Sequence, residues 1–244
     1  MLENLKASLT ALVFPDHCLQ CEGALPVDTP RQWCDNCFHD LIGDEPENCL
    51  KCAAHLRQAS PFELECAYCR NMAFRFDAAI SIGNYRGALQ TAVLDMKRSS
   101  CETTAYQFGS ILGNLLLERT GDSVADLIIP MPIHWWSRLK RGYCAAAMIA
   151  TGISAQTKIP INDSALRQIK KTKKQGMLST TARFKNVRGA FSLRNPKVIN
   201  GKRILLVDDV MTSGATANEA AKVLKKAGAK HVYVAIVARG VRAS

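Results

Sequence analysis

The sequence predicts an α/β protein, a parallel β-sheet flanked by helices, preceded by a small cysteine-rich domain. From residue 76 onward, short apolar segments typical of buried strands alternate with longer segments of helical periodicity, the order that builds parallel sheets. Eight of the ten cysteines lie before residue 70, and the net charge changes there from −6 over residues 1–70 to +17 over residues 71–244. We therefore expect a cysteine-rich domain at 1–72 and an α/β domain at 73–244.

The elements of the α/β domain follow one another in a regular order. Strands are predicted at 76–82, 125–130, 164–169, 190–193, 204–208 and 231–238. Helical periodicity precedes Lys97 and Glu118 and recurs at 144–151 and 216–227, with Gly228 ending the last helix. A loop at 131–142 joins the second strand to the third helix.

The most informative segment is the strand at 204–208 with the turn and helix behind it. Its apolar run ends in Asp208 and Asp209, at the carboxyl end of the strand, where open α/β sheets bind ligands. The turn consists of Thr212, Ser213, Gly214, Ala215 and Thr216. Its hydroxyls, its glycine and the free N–H groups of the following helix suit a phosphate. A carboxylate pair beside a phosphate site indicates a sugar phosphate or a divalent cation, although a strand that ends in Asp-Asp as a helix cap needs no ligand.

The cysteine-rich segment contains four Cys-x-x-Cys pairs, and two such pairs complete a four-thiolate zinc site. The simplest assignment is one zinc on Cys18, Cys21, Cys34 and Cys37, and a second on Cys49, Cys52, Cys66 and Cys69. An interleaved pairing fits the spacing as well. Disulfides are disfavoured because the N-terminus shows no signal-peptide pattern, which favours a reducing compartment. Four protein ligands leave no open position, so both zinc ions are expected to be structural.

Residues 164–207 contain twelve Lys/Arg and no Asp/Glu, and the loop 170–183 is the most basic part of this stretch. One interpretation is a solvated basic face, which would also attract nucleic acid. The other is a mobile flap that closes over a pyrophosphate-like charge. The flap residues would be Lys171, Lys173, Lys174, Gln175 and Arg183.

In their order along nearly the whole chain, these motifs resemble the ComF family of competence-associated, phosphoribosyltransferase-like proteins, which includes the GntX-like proteins. The acid pair and its Thr-Ser-Gly turn resemble the phosphoribosyl-pyrophosphate (PRPP) signature of type I phosphoribosyltransferases. Further matching features are the Cys-x-x-Cys pairs, Phe76-Asp77 with Gly83 and Tyr85, Pro130-Met131-Pro132, Arg141-Gly142, and the basic-loop residues Arg167, Thr172, Gln175, Leu178, Arg183, Asn186, Gly189, Ala190 and Phe191.

The resemblance implies a type I phosphoribosyltransferase-like fold that binds PRPP with Mg²⁺. Asp208 and Asp209 would be the catalytic residues. Besides residues 212–216, the implied PRPP contacts are Lys97, Met131, Arg138 and Arg141. The family usually continues its Arg-Gly-aromatic motif with Asn-Gln, whereas this chain has Cys144-Ala145, so two polar side chains near the expected pocket are missing.

Two hypotheses for the function follow. The first is an enzyme that binds PRPP and transfers its phosphoribosyl group to an unidentified acceptor. The second is a single-stranded nucleic-acid-binding protein that uses the fold as a scaffold or PRPP sensor, with single-stranded DNA and a DNA-uptake helicase or other competence protein as partners. The acidic cysteine-rich segment would dock on its basic neighbour or on another protein rather than on DNA. No apolar run approaches the ~18–20 residues of a membrane span, so we expect a cytoplasmic protein without membrane insertion.

Overall fold

The computed structural model describes ten stretches of the chain, with gaps between them. They are residues 17–26, 32–43, 48–56, 66, 68–70, 72–98, 101–121, 124–132, 144–172 and 179–240. These residues form a four-stranded parallel sheet with helices on both faces and a separate two-stranded antiparallel sheet. The predicted fold class, a parallel sheet flanked by helices with a four-cysteine region before it, is confirmed.

Strands and helices alternate along most of the described chain. The strands are β1 (Ala78–Asn84), β2 (Leu127–Pro130), β3 (Leu166–Gln168), β4 (Phe191–Leu193), β5 (Arg203–Met211) and β6 (His231–Arg239). The helices are α1 (Asp35–Ile42), α2 (Gly87–Arg98), α3 (Glu102–Thr120), α4 (Ala145–Thr157), α5 (Thr180–Val187) and α6 (Ala215–Lys226), with a 3₁₀ turn at Pro196–Val198. No helix among the described residues is long and apolar enough to cross a bilayer.

The parallel sheet has the strand order β1-β6-β5-β2, so β5 is an interior strand. Leu205 and Val207 on β5 pack into the core beneath α3 and α4, whereas Ile204 and Leu206 pack into the core beneath α6. Both faces of β5 are therefore covered, which explains why its sequence is apolar without alternation. The strand continues to Met211, three residues beyond Asp208, because it keeps pairing with β6 through Met211 and Arg239.

The described parts of the cysteine-rich segment pack directly against the α/β domain. The ring of Trp33 stacks on Phe108 of α3 with 5.2 Å between centroids, and Leu41 of α1 joins the same buried cluster. At a second contact, the Ala79 N–H of β1 donates to the Leu50 carbonyl over 3.0 Å. The described parts of the cysteine-rich segment thus pack on the α/β domain through apolar and backbone contacts, while the domain boundary at 72/73 and the role of charge in this docking stay predictions.

The basic stretch contains a helix that the sequence reading places in a loop. Helix α5 begins at Thr180, and the hydroxyl of Ser179 caps it by accepting from the Ala182 N–H over 3.3 Å. Beyond α5, the Gly189 N–H donates to the Glu219 carboxylate of α6 over 3.0 Å. The expected loop 170–183 is therefore shorter, because its C-terminal part is helical and docked.

Candidate functional site

The acid pair lies on β5 beside the carboxyl end of the sheet. Asp208 lines a small cavity at the start of α6, and its Oδ1 accepts from the Asp209 N–H over 2.9 Å. Asp209 is turned toward α2, where the Lys97 ammonium lies 3.0 Å from its Oδ2. The structure thus brings together three of the residues that the sequence predicts for the site, two from β5 and one from α2.

The environment of Asp208 raises its pKa to about 7. Burial is the main cause, because it removes water from the charged form, and the negative charge of Asp209 adds to the effect. The Asp209 N–H and the charge of Lys97 act in the opposite direction. Asp208 therefore exchanges its proton near neutral pH, where a cationic ligand favours the ionised form.

A stability measurement against pH tests this shift. Since the folded state holds the Asp208 proton more tightly than the unfolded chain, the stabilisation is complete below pH 3.8 and is lost as pH rises through about 7. Relative to Asp208→Asn, the free energy of unfolding of the wild type should therefore fall between pH 4 and pH 7 by about 1 kcal/mol or more, the equivalent of one pKa unit.

Asp126→Asn is the matched control for this measurement. The pKa of Asp126 is lowered to about 2 because its carboxylate accepts hydrogen bonds from Arg203. Its contribution to stability is then lost only as pH falls below 3.8, so the difference from wild type should stay constant between pH 5 and pH 8. A difference for Asp208→Asn that also stays constant across pH 4–7 would contradict the raised pKa.

The phosphate loop, Thr212–Thr216, runs from the end of β5 into the first turn of α6. Gly214 caps the helix in the left-handed conformation with φ 75°, and the Ala215 N–H reaches the Ser213 hydroxyl over 3.4 Å. A cavity of about 50 Å³ lies between the loop, Asp208 and the first turn of α6. One water needs about 10–15 Å³ by this measure, so the cavity has room for a small anion such as phosphate.

Three side chains from other parts of the chain hold the phosphate loop. Arg183 of α5, which is 7% exposed, donates from Nη1 to the Thr212 hydroxyl over 2.7 Å. Phe74 covers Gly214, since a Cβ at this glycine would lie 2.9 Å from the Phe74 ring. Arg239 of β6 donates from Nη1 to the carbonyls of Met211 and Thr212. Arg183 thus lies buried in α5 and bonded to the phosphate loop, and its assignment to a mobile flap stays a prediction.

A solvent-open cleft of about 360 Å³ lies at the carboxyl end of β2, the strand next to β5 in the sheet. Met131 forms one wall and is anchored because its N–H donates to the Val207 carbonyl over 2.8 Å. Cys144, which stands where the family usually has Asn, also lines the cleft, with its Sγ 3.9 Å from the Met131 carbonyl oxygen, and Arg167 and Gln168 of β3 are further lining residues. The departure from the family pattern therefore falls inside the cleft.

The other predicted site residues divide between the surface and the gaps. Lys171 is described and lies exposed on the surface after β3. Five further residues lie outside the described residues: Arg138, Arg141, Lys173, Lys174 and Gln175.

The eight paired cysteines form two clusters that follow the chain order. One contains Cys18, Cys21, Cys34 and Cys37, the other Cys49, Cys52, Cys66 and Cys69, and within each the sulfur atoms lie within 4.8 Å of one another. The Sγ–Sγ separations include 3.8 Å for Cys21–Cys34 and 3.5 Å for Cys52–Cys66. A tetrahedral zinc with Zn–S bonds of ~2.3 Å spaces its sulfurs by about 3.8 Å. The donor set therefore fits structural zinc, and of the two pairings left open the structure has the sequential one.

The two clusters share a local backbone unit, which we call the cysteine knuckle, at 17–24 and 48–55. In each, a non-glycine residue follows the second cysteine in the left-handed conformation, Glu22 with φ 59° and Ala53 with φ 55°. Burial works to raise the pKa of Cys18 and Cys49, but backbone N–H groups outweigh it and lower their pKa to about 6 and about 7. Thiolates held by backbone N–H groups are suited to bind a metal.

Sequence reasoning missed Arg239 and Phe74. Arg239 ends a strand that is otherwise almost entirely apolar, and an arginine in such a run is a signal of a buried, bonded charge. Phe74 had no such signal, because its role depends on contact with Gly214, 140 residues away in sequence.

The comparisons with known proteins agree with this geometry. Residues 139–243 match the family model described as the phosphoribosyl transferase domain. Competence protein F of Haemophilus influenzae is 28% identical over 234 residues, which cover 93% of this chain and 98% of that protein. Together with the two four-cysteine clusters, these matches make the chain similar to the ComF-like proteins. The DNA utilization protein YhgH of Escherichia coli K12 is 26% identical to this chain over 183 residues, 72% of this chain and 78% of the relative.

Among solved structures, this chain is similar to two proteins over about half its length. Glutamine PRPP amidotransferase from B. subtilis, complexed with ADP and GMP, is 24% identical over 54% of this chain and 26% of its own, with a TM-score of 0.36. Purine phosphoribosyltransferase from Pyrococcus horikoshii is 21% identical over 54% of this chain and 70% of its own, with a TM-score of 0.34.

Proposed function

We propose that this protein binds PRPP with Mg²⁺ between the acid pair and the phosphate loop and transfers the phosphoribosyl group to an acceptor not yet identified. The observation that carries the proposal is the convergence of Asp208, Asp209, Lys97 and the left-handed Gly214 at one place. The match of residues 139–243 to the phosphoribosyl transferase domain supports the same chemistry.

Each group at this place has a binding role in the proposal. The hydroxyls and N–H groups of the phosphate loop would hold the 5′-phosphate, aided by the positive end of α6. Asp208 and Asp209 would accept hydrogen bonds from the ribose hydroxyls. Their carboxylate oxygens also suit Mg²⁺, which, when bound, supplies positive charge to the pyrophosphate.

The reaction would be a displacement at the anomeric carbon of the ribose. A bond from the acceptor to this carbon forms, the carbon–oxygen bond to pyrophosphate breaks, and the electron pair leaves with pyrophosphate. The sugar becomes positive in the transition state, so the ionised acid pair stabilises it. Lys97, paired with Asp209 before PRPP binds, would provide a cation for the leaving pyrophosphate.

The proposal extends to the biological setting. The relatives' names, competence protein and DNA utilization protein, support a role in DNA uptake or utilisation. Single-stranded DNA and a DNA-uptake helicase or other competence protein are the partners we propose. The two clusters of reduced thiols are in keeping with a cytoplasmic location.

Calorimetric titration of PRPP into the zinc-replete protein with Mg²⁺ tests the proposal. Wild type should bind saturably, and the double variant Asp208→Asn/Asp209→Asn should lose the binding because both carboxylates facing the ribose become neutral. Asp126→Asn, with its carboxylate at the start of β2, is the control and should bind like wild type.

The result decides between the two hypotheses for the function. Binding that is lost in the folded double variant supports the proposal and justifies a search for the acceptor by following pyrophosphate release. Absence of binding in wild type would overturn it. The nucleic-acid-binding hypothesis, with the fold as a scaffold, would then take its place.

A further inference from the structure

Arg239 is a buried cation at the carboxyl end of the central strand β6. It is 4% exposed, and the strand before it contributes apolar side chains to both cores. Burial of an arginine costs folding free energy unless its N–H groups are hydrogen-bonded. The hydrogen-bond partners of Arg239 therefore indicate its role.

The partners of Arg239 belong to two distant parts of the chain. Nε donates to the carbonyl of Cys52 over 2.8 Å. Nη1 donates to the carbonyls of Met211, over 2.8 Å, and Thr212, at the entrance to the phosphate loop. One rigid, planar group therefore joins a cysteine of the second cluster to the loop.

The charge of Arg239 also bears on the loop. In the part of the chain that the structure describes, its recorded partners are carbonyl groups and include no carboxylate. Its positive charge lies beside the carbonyls of Met211 and Thr212, where the loop that we propose for an anion begins. Loss of the side chain would leave the carbonyls of the buried residues Cys52 and Met211, and that of the exposed Thr212, without these hydrogen bonds.

We infer that Arg239 positions the phosphate loop by holding it to the second cysteine cluster, so that PRPP binding and the order of this cluster are energetically coupled. The inference rests on the proposed function for its ligand. Coupling of this kind is reciprocal. A ligand that orders the loop also orders the cluster, and disorder in the cluster weakens the binding of the ligand.

Amide hydrogen exchange of the full-length, zinc-replete protein tests the inference, because the exchange rates of residues 48–56 and of residues 208–218 can be measured separately. In wild type, PRPP with Mg²⁺ should slow exchange in both segments by at least about fivefold. In Arg239→Lys, which keeps the charge but loses the planar fork, protection of 48–56 should be lost. Arg239→Met should lose it as well and also bind PRPP more weakly.

Two references keep the experiment specific. Arg203→Lys alters an arginine at the start of β5, where it pairs with Asp126 over 2.6 Å, and should leave both protections intact. The first knuckle, 17–24, should exchange at the same rate with and without PRPP in all variants. PRPP protection of 208–218 without any at 48–56 in wild type would overturn the inference.

If the wild type does not bind PRPP, the proposed function fails, but the inference about Arg239 can still be tested. The exchange rates of the ligand-free proteins would then decide it. Faster exchange at both segments in Arg239→Lys, relative to wild type and to Arg203→Lys, would support the positioning role of Arg239. Unchanged rates would refute it.

Discussion

A Gly214→Val variant should bind PRPP about 100-fold more weakly than wild type while keeping its fold and its metal content. Gly214 has φ 75°, where a β-branched residue is strained, and its Cβ would lie 2.9 Å and 3.1 Å from two atoms of the Phe74 ring. Either the ring or the phosphate loop must move, and we expect the loop to move because the strain at φ 75° acts on its own backbone. A 100-fold loss corresponds to about 2.8 kcal/mol of binding free energy.

Gly201→Val is the matched control for Gly214→Val. Gly201 has φ 74°, but a Cβ there meets no atom within 4 Å, and the residue precedes β5 at the opposite end from the loop. This variant carries the same backbone strain and should bind PRPP like wild type. Phe74→Ala combined with Gly214→Ala should recover part of the affinity that Gly214→Ala alone loses. Equal losses in the Gly201 and Gly214 variants would attribute the effect to general destabilisation.

A Cys52→Ser variant should lose about one of about two zinc ions per chain and several kcal/mol of stability. Cys52 is fully buried within the second cluster, and burial, with the charge of Cys49 adding to it, raises its pKa to about 12, so a metal is needed to hold it as a thiolate. Structural zinc contributes about 10–16 kcal/mol in small zinc-binding peptides. We expect at least about 4 kcal/mol here, because contacts with β1 retain part of the structure.

Metal analysis and calorimetric unfolding measure the effect of Cys52→Ser. Cys101→Ser is the control, since Cys101 is half-buried outside both clusters and accepts a hydrogen bond from Thr104. It should keep about two zinc ions and lose little stability. A wild type with a metal content near zero would refute the zinc assignment.

The acid pair and the phosphate loop were predictable because their pattern is local. Thirteen consecutive residues contain the strand, the carboxylates, the hydroxyls and the glycine, and each residue type suggests its chemistry without knowledge of the rest of the fold. The roles assigned to these residues toward PRPP stay predictions. The four-cysteine sites were predictable for the same reason, although the spacing alone left the pairing open.

The parts that were not predictable depend on contacts between distant segments. Arg239 bonds to Cys52 across 187 positions, and Phe74 covers Gly214 across 140. No periodicity or spacing records such a contact. Helix α5 is a different case: Ser179 is a helix-capping residue, but the basic composition of the stretch pointed to a flap and hid that signal.

The two cysteine knuckles have a consequence for how this protein can evolve. The same eight-residue unit, with a left-handed residue in the same place, occurs twice. Among the described residues of the two copies, a carbonyl of the second accepts a hydrogen bond from Arg239, whereas none of the first does. A duplicated unit is free to diverge in one copy as long as the other keeps its task. The first knuckle should therefore tolerate altered loop lengths among homologues as long as its cysteines remain, whereas we expect the second to be constrained by the metal and, through Arg239, by the phosphate loop as well.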